Sequence, residues 1–423
     1  MIIFTILIHL LVLWSLKFYS YPEFYIYPYL KSLSWQPYSQ IIDHHFPGLF
    51  LLPINFRSLG LTDPISFKLL LLITVVVQSV LIFKITRSRM AVALFAVWQP
   101  FFAGNHLWVD TFLSLFILSA FYLFSSGSFW LAGLVLGVGV IFKQSLIIPI
   151  AFISLLLIVH RTVRVFEFTI LAFLPLLALL VGYSYSGILP DFWYWTITFN
   201  SIYPRLAGLW PRTPDLIKLA LPSALLLIAL YRSRQSRLVK NAAMWLIFSS
   251  TGVFPRFNFI HLQPIVPFLA IILSRISHRP LRTGVLLVSL LWSGYFLSRQ
   301  LGPTNYAFFD AQTLNISSKL TQLTQKGEPV FILGAQPHIY VLSQTVPAGS
   351  LFSFSLPWLM PQVQDRLLAN LVLRPPHYAL VDTASSVDGR PLSEYAPRLL
   401  NYIQSDYLPI YRSGSLVLYE SRN

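Results

Sequence analysis

Few residues in this chain could move a proton or hold a phosphate. Only seven acids precede residue 300: Glu23, Asp43, Asp63, Asp110, Glu167, Asp191 and Asp215. An ionised carboxylate within hydrogen-bond reach of a hydroxyl can take its proton, which is general-base chemistry. Two carboxylates close in space would split their proton affinities and leave one better suited as base. Asp43 opens the run Asp43-His44-His45, whose residue types also suit a metal site. Adjacent histidines point in different directions in regular structure and no HExxH spacing accompanies them, so the run is read as hydrogen-bonding side chains, with no metal assigned. No cofactor is specified by the sequence, and a divalent metal stays open as an alternative. Lys143 and Arg256 are the cations that bulk lipid-facing packing does not readily explain. Arg offers a planar fork to phosphate and Lys a point charge. Snorkelling of the lysine and anchoring of a helix end by the arginine explain them equally well.

The elements that must position these groups belong to a bilayer. Of 423 residues 56% are hydrophobic and 11% charged, and the mean hydropathy is +0.66. That composition excludes an ordinary soluble domain. Apolar runs fill the chain from Ile2 to Leu297, and Ile2 to Tyr19 reads as a retained anchor, without the basic leader or cleavage site of a secretory signal. Ten further runs follow: Ile65 to Lys84, Ala91 to Ala103, Leu107 to Phe124, Trp130 to Phe142, Ser145 to Val159, Phe166 to Val181, Leu216 to Tyr231, Ala242 to Phe254, Leu262 to Leu273 and Val285 to Leu297. About eleven spans are expected, several of them short against the roughly 20 residues that cross a hydrocarbon core. The chain has no cysteine, which excludes disulfides, thiolate metal sites and cysteine nucleophiles.

The formal charge of +15 does not point to nucleic acid. A dozen Lys and Arg residues form four clusters: Lys84, Arg87 and Arg89; Arg161 and Arg164; Arg232, Arg234, Arg237 and Lys240; and Arg275, Arg279 and Arg282. They fall in alternate loops of one parity, which the positive-inside rule makes cytoplasmic. Six of the seven acids then lie at or beyond the outer interface and only Glu167 inside, so chemistry is expected outside. After Leu297 the pattern changes. Strand-like Glu328 to Gly334, Tyr378 to Thr383 and Ser415 to Ser421 alternate with helix-like Ala311 to Thr324 and Tyr395 to Ile403, the signature of a small α/β domain. The expected fold class is therefore mainly α: a polytopic transmembrane helical bundle at 1–300, with a first outer loop at 20–64, and a small extracytoplasmic α/β domain at 301–423.

The first outer loop is long for a connector and packs acids, histidines and aromatics between two spans. With Pro22-Glu23, Tyr38, Asp43-His44-His45-Phe46-Pro47 and Phe56-Arg57-Ser58-Leu59-Gly60, it resembles the loop of the GT-C superfamily, in particular its protein O-mannosyltransferase, ArnT and RgtA/B/C/D-like branches. It departs from their pattern in having Pro22 for an Asp, Gln40 for a later Asp and Phe46 for a Pro. The resemblance continues through Asn105 to Asp110, Gly137 to Gln144, and Pro255-Arg256-Phe257 with His261.

That resemblance implies a GT-C-type hexosyltransferase of the plasma membrane, moving mannose or another hexose-type sugar from a polyprenyl-phosphate donor to an extracytoplasmic glycan, lipid or protein acceptor. Membrane lipids would be its other partners, with no nucleic acid. Glu23 is the first candidate for the base, with Asp43 and Asp110 as alternatives or orienting partners, and Lys143 and Arg256 would face the leaving phosphate. His45, Tyr38, Trp193, Tyr203 and His261 are candidate sugar or acceptor contacts, although an aromatic interface belt explains Trp193 and its neighbours equally well. Competing readings are an O-antigen polymerase or ligase using a diphosphate-linked oligosaccharide, a transporter without covalent chemistry, and an assembly scaffold. A transporter should show repeated halves or broken helices with midplane polar sites, and the sequence shows neither.

Overall fold

The computed structural model describes residues 2–50, 55–159, 163–301 and 306–422; Arg161 of the second basic cluster lies outside the described residues. The chain divides into two compact units, one formed by Met1–Ser20, Asp63–Gly182 and Gly208–Asn305, the other by Tyr21–Thr62, Tyr183–Ala207 and Tyr306–Asn423.

The first unit is helical, and its long helices have their apolar faces outward. The helix Pro64–Thr86 starts where Asp63 accepts hydrogen bonds from the backbone N–H groups of Ile65 and Ser66 at 2.8 and 3.1 Å, with Pro64 in the first helical position. Along it Ile65, Leu69, Ile73, Val77 and Val80 are exposed, while Lys68, Thr74, Gln78 and Ser79 are buried. A helix in water shows the reverse; here the outer face is one that lipid solvates. In the helix Arg164–Tyr185, Phe166, Ile170, Leu174, Leu177 and Val181 repeat this outward stripe. Its backbone approaches the helix Phe129–Phe142 so closely that a Cβ at Gly133 or Gly137 would meet the Phe168 or Ala172 carbonyl oxygen at 2.2 or 2.4 Å. This is the small-residue packing that lets helices associate inside a membrane.

The expected count of about eleven spans is matched in part. Four described helices are long and apolar enough to cross a membrane: Pro64–Thr86, Arg164–Tyr185, Thr213–Arg232 and Arg279–Gln300. Other apolar helices, such as Val109–Ser125 and Phe129–Phe142, are shorter. The run expected as a span at Leu262 to Leu273 is a 3-10 turn, Phe259–Ile265, leading into the helix Val266–Leu273. All eight residues of that helix are buried. Hydropathy cannot tell a segment wrapped in protein from one wrapped in lipid, because both surroundings are apolar.

The second unit is built on a five-stranded sheet in the order Tyr407–Ser413, Leu416–Ser421, Tyr378–Asp382, Pro329–Leu333, Val346–Pro347. The three central strands carry the three segments read as strands from sequence. Helices Ala311–Leu323, Met360–Leu373 and Pro397–Asp406 belong to the same unit. This unit is larger than the expected 301–423 segment, because it takes in the first long loop and Tyr183–Ala207. Ile41–Ile42 pairs in parallel with Phe352–Ser353, which fixes the loop that carries Asp43 to the C-terminal segment.

Candidate active site

In the second unit the chemistry gathers at one end of a short helix. Glu23 lies in the first turn of the helix Glu23–Ser32, and Tyr27 follows one turn later on the same face. Tyr27 is hydrogen-bonded to the Asp43 carboxylate. Asp43 is buried, and its Oδ1 accepts from the His45 backbone N–H at 2.9 Å and pairs with His45 Nδ1 at 2.7 Å. The His44 Nδ1 is 3.6 Å from the same oxygen. Tyr38, wholly buried, donates its hydroxyl to the His45 carbonyl at 2.9 Å and takes a left-handed φ of 65°. It therefore holds the turn that aims His45, and its own hydroxyl is engaged in that task. Asn200 donates to the His44 carbonyl at 2.7 Å, and the Tyr203 ring lies 4.6 Å from that of His44.

The two acids of this cluster are held in opposite states. Burial alone would raise the Asp43 carboxyl, but its interaction with His45 and the hydrogen bonds from His45 and Tyr27 outweigh it and hold the group well below the usual carboxylate range. Burial pushes Glu23 up to about 7, against the pull of a hydrogen bond from its own backbone, and the Asp43 charge adds to the rise. Glu23 Oε2 is out of solvent and accepts no hydrogen bond from a described residue. His44 is lowered to about 3 by burial and by the His45 charge, so it stays neutral at physiological pH.

The expectation that His44 and His45 diverge is not met. Their rings lie 4.2 Å apart at 36°, because the chain turns between them. Asp43, His44 and His45 each present a donor atom within 4.8 Å of the others, a spacing that fits a divalent cation. The Asp43 to His45 hydrogen bond already satisfies two of those donors.

The first unit holds a separate, fully paired group. Asp110, in the first turn of the helix Val109–Ser125, is buried with no exposed surface. Its Oδ1 accepts from Lys143 Nζ at 2.8 Å and its Oδ2 pairs with His261 Nδ1 at 2.7 Å. Lys143 is the residue that ends the helix Phe129–Phe142, and its ammonium also donates to the Gly252 carbonyl at 3.1 Å. Sequence reasoning named Asp110, Lys143 and His261 but not their joint arrangement. Gly252 has no side chain to signal its part, which its carbonyl plays from the 3-10 turn Thr251–Val253.

The remaining candidates are placed differently. Arg256 is not among the partners of Asp110; its strand-like backbone pairs with Leu209. Trp193 is 54% exposed, whereas Trp195 is buried and packs on Phe199 at 5.4 Å. Tyr27 and Asn200 are the site residues that sequence reasoning did not assign; the one signal for Tyr27 is its four-residue spacing from Glu23.

No protein-family model and no curated protein matches the chain. Among solved structures it resembles ArnT from Cupriavidus metallidurans, in the apo state with a TM-score of 0.64 and 14% identity, covering 99% of this chain and 97% of that one. It resembles ArnT bound to undecaprenyl phosphate with the same TM-score and coverage at 12% identity. The likeness runs nearly end to end on both sides, and the chain shares the fold of ArnT.

Proposed function

We propose that the chain is a membrane glycosyltransferase that moves a hexose-type sugar from a polyprenyl-phosphate donor to a hydroxyl-bearing glycan, lipid or protein on the outer side of the plasma membrane. The observation that carries this reading is the divided pair of carboxyls, with Asp43 held ionised and Glu23 raised to about 7 beside it. A base whose proton affinity matches the working pH serves proton transfer best. The ArnT fold, seen with undecaprenyl phosphate in one of its structures, supports the donor class.

In the proposed step the acceptor oxygen bonds to the sugar C1 while its proton passes to Glu23. The bond from C1 to the phosphate oxygen breaks, and that oxygen leaves with the electron pair, giving a glycoside and a polyprenyl phosphate. Burial keeps Glu23 basic and the fixed negative charge of Asp43 adds to it, while His45 and Tyr27 keep Asp43 in place. Lys143 and Arg256 are proposed to answer the charge that develops on the phosphate. Lys143 brings to that role an ammonium already positioned by Asp110. The basic loops on the opposite side of the spans support an outer location for the chemistry.

Purified protein in lipid nanodiscs, supplied with undecaprenyl-phosphate monosaccharides and candidate acceptors, should release undecaprenyl phosphate, as followed by mass spectrometry. Consumption of diphosphate-linked oligosaccharides alone would replace this reading with the polymerase or ligase one.

A further inference from the structure

The first unit contains a cavity that the proposed chemistry does not use. It has a volume of about 650 Å³ and is lined by the long helices Thr213–Arg232 and Arg279–Leu297, with Phe259 of the 3-10 turn also in its wall. Two cations line it, Lys218 and Arg299, and its lining includes no carboxylate. The nearest acid along the helix, Asp215, is committed elsewhere, accepting the Arg212 backbone N–H at 2.9 Å as part of the helix cap. Instead of an acid, Lys218 Nζ faces the rings of Phe259 and Phe296 at 5.2 and 5.5 Å, and the Arg299 guanidinium lies 4.5 Å from the Tyr295 ring. The Trp292 indole donates to the Lys218 carbonyl at 3.2 Å, tying the two helices together at this level.

A lysine that merely snorkels extends away from apolar surface. This one lies over two aromatic faces, which neutralise an ammonium far less than a carboxylate does. The outer rim includes Ile217 and Tyr295, more than half exposed on helices whose neighbouring surfaces carry Leu216 and Leu291. An occupant must therefore be apolar where it meets the rim and negatively charged where it meets Lys218 and Arg299. The volume is in the range that takes a whole headgroup with the first carbons of its chains.

We propose that this cavity binds the phosphate headgroup of a membrane lipid, with Lys218 and Arg299 as its two charge partners and the aromatic walls against the adjoining carbons. The inference stands whether or not the chain transfers sugars, since it concerns binding alone.

The test is native mass spectrometry of the full chain released from nanodiscs. Phosphatidylglycerol, phosphatidylcholine, undecaprenyl phosphate and inorganic phosphate serve as the probes. The wild type should retain one of the two anionic lipids in preference to phosphatidylcholine, and Lys218→Gln with Arg299→Gln should lower that retention roughly ten-fold. The exchange Lys218→Arg with Arg299→Lys should restore most of it. Retention unchanged by the double glutamine variant, or matched by inorganic phosphate, would overturn the proposal. A photo-crosslinking anionic lipid provides a check on the unaltered protein. Labelled peptides should cover Pro214 to Lys218 and Trp292 to Gln300, and labelling spread evenly over the lipid-exposed helices would equally overturn it.

Discussion

The two ionic clusters use the same residue types to opposite ends. Around Asp110 every charge is answered: the carboxylate has Lys143 on one oxygen and His261 on the other. Around Glu23 and Asp43 the answer is uneven, since Asp43 takes all the donors while Glu23 keeps an oxygen that no described residue donates to. A closed set of partners holds helices in register and resists change. A carboxyl left half-satisfied next to a fixed negative charge binds a proton near neutral pH and can hand it on. Under the proposed function, proton transfer falls to Glu23 and positioning to Asp110.

The largest effect that would break this division concerns Glu23→Gln. It should lower turnover by about three orders of magnitude, the scale of a lost general base, without changing the unfolding midpoint in detergent at pH 4 or below. Turnover within a few-fold of wild type would transfer the role to another acid. Next in size, Asp110→Asn should destabilise the first unit by about 3 kcal/mol, because it strands the Lys143 ammonium in a buried setting. Adding Lys143→Met should recover part of the loss in thermal unfolding. If it does not, the pair is not the unit of stability described here.

How much of this could be read from sequence depends on what kind of signal each residue emits. The acids and cations were legible because a charge in an apolar chain is rare, which singles out Glu23, Asp43, Asp110 and Lys143, whereas their roles and the choice of His261 rest on the resemblance to the GT-C superfamily. The central strands of the second unit were legible as apolar runs bounded by turns. The edge strand Tyr407–Ser413 was not, because Pro409 interrupts it and a bulge follows; an edge tolerates proline where a central strand would not. The Gly252 carbonyl leaves no trace in residue type, and the approach of the His44 ring to that of His45 comes with a turn to which the left-handed Tyr38 is bonded. That all eight residues of Val266–Leu273 are buried in protein was not legible, because protein and lipid surroundings are both apolar.

Smaller effects sharpen the same comparison. Because Glu23 binds its proton more tightly folded than unfolded, its contribution to stability is fullest below the ordinary carboxylate value of 4.5 and declines as pH rises to about 7. Glu23→Gln should remove that decline, making the variant more stable than the wild type at pH 8 by roughly 3 kcal/mol and no more stable at pH 4. Tyr27→Phe takes one hydrogen bond from Asp43 and should lower turnover roughly ten-fold, the scale of a charge-assisted bond. Trp193→Ala, at an exposed ring, should leave stability within about 0.5 kcal/mol.

The most direct test is the pH dependence of kcat/KM in the wild type and in Asp43→Asn. The wild type should gain activity as pH rises through about 7, the value to which Glu23 is raised. Asp43→Asn removes the neighbouring charge and should move that rise to lower pH, whatever its effect on the plateau. A profile that is flat across neutrality, or one whose rise persists in Glu23→Gln, would contradict Glu23 as the base and the division of labour built on it.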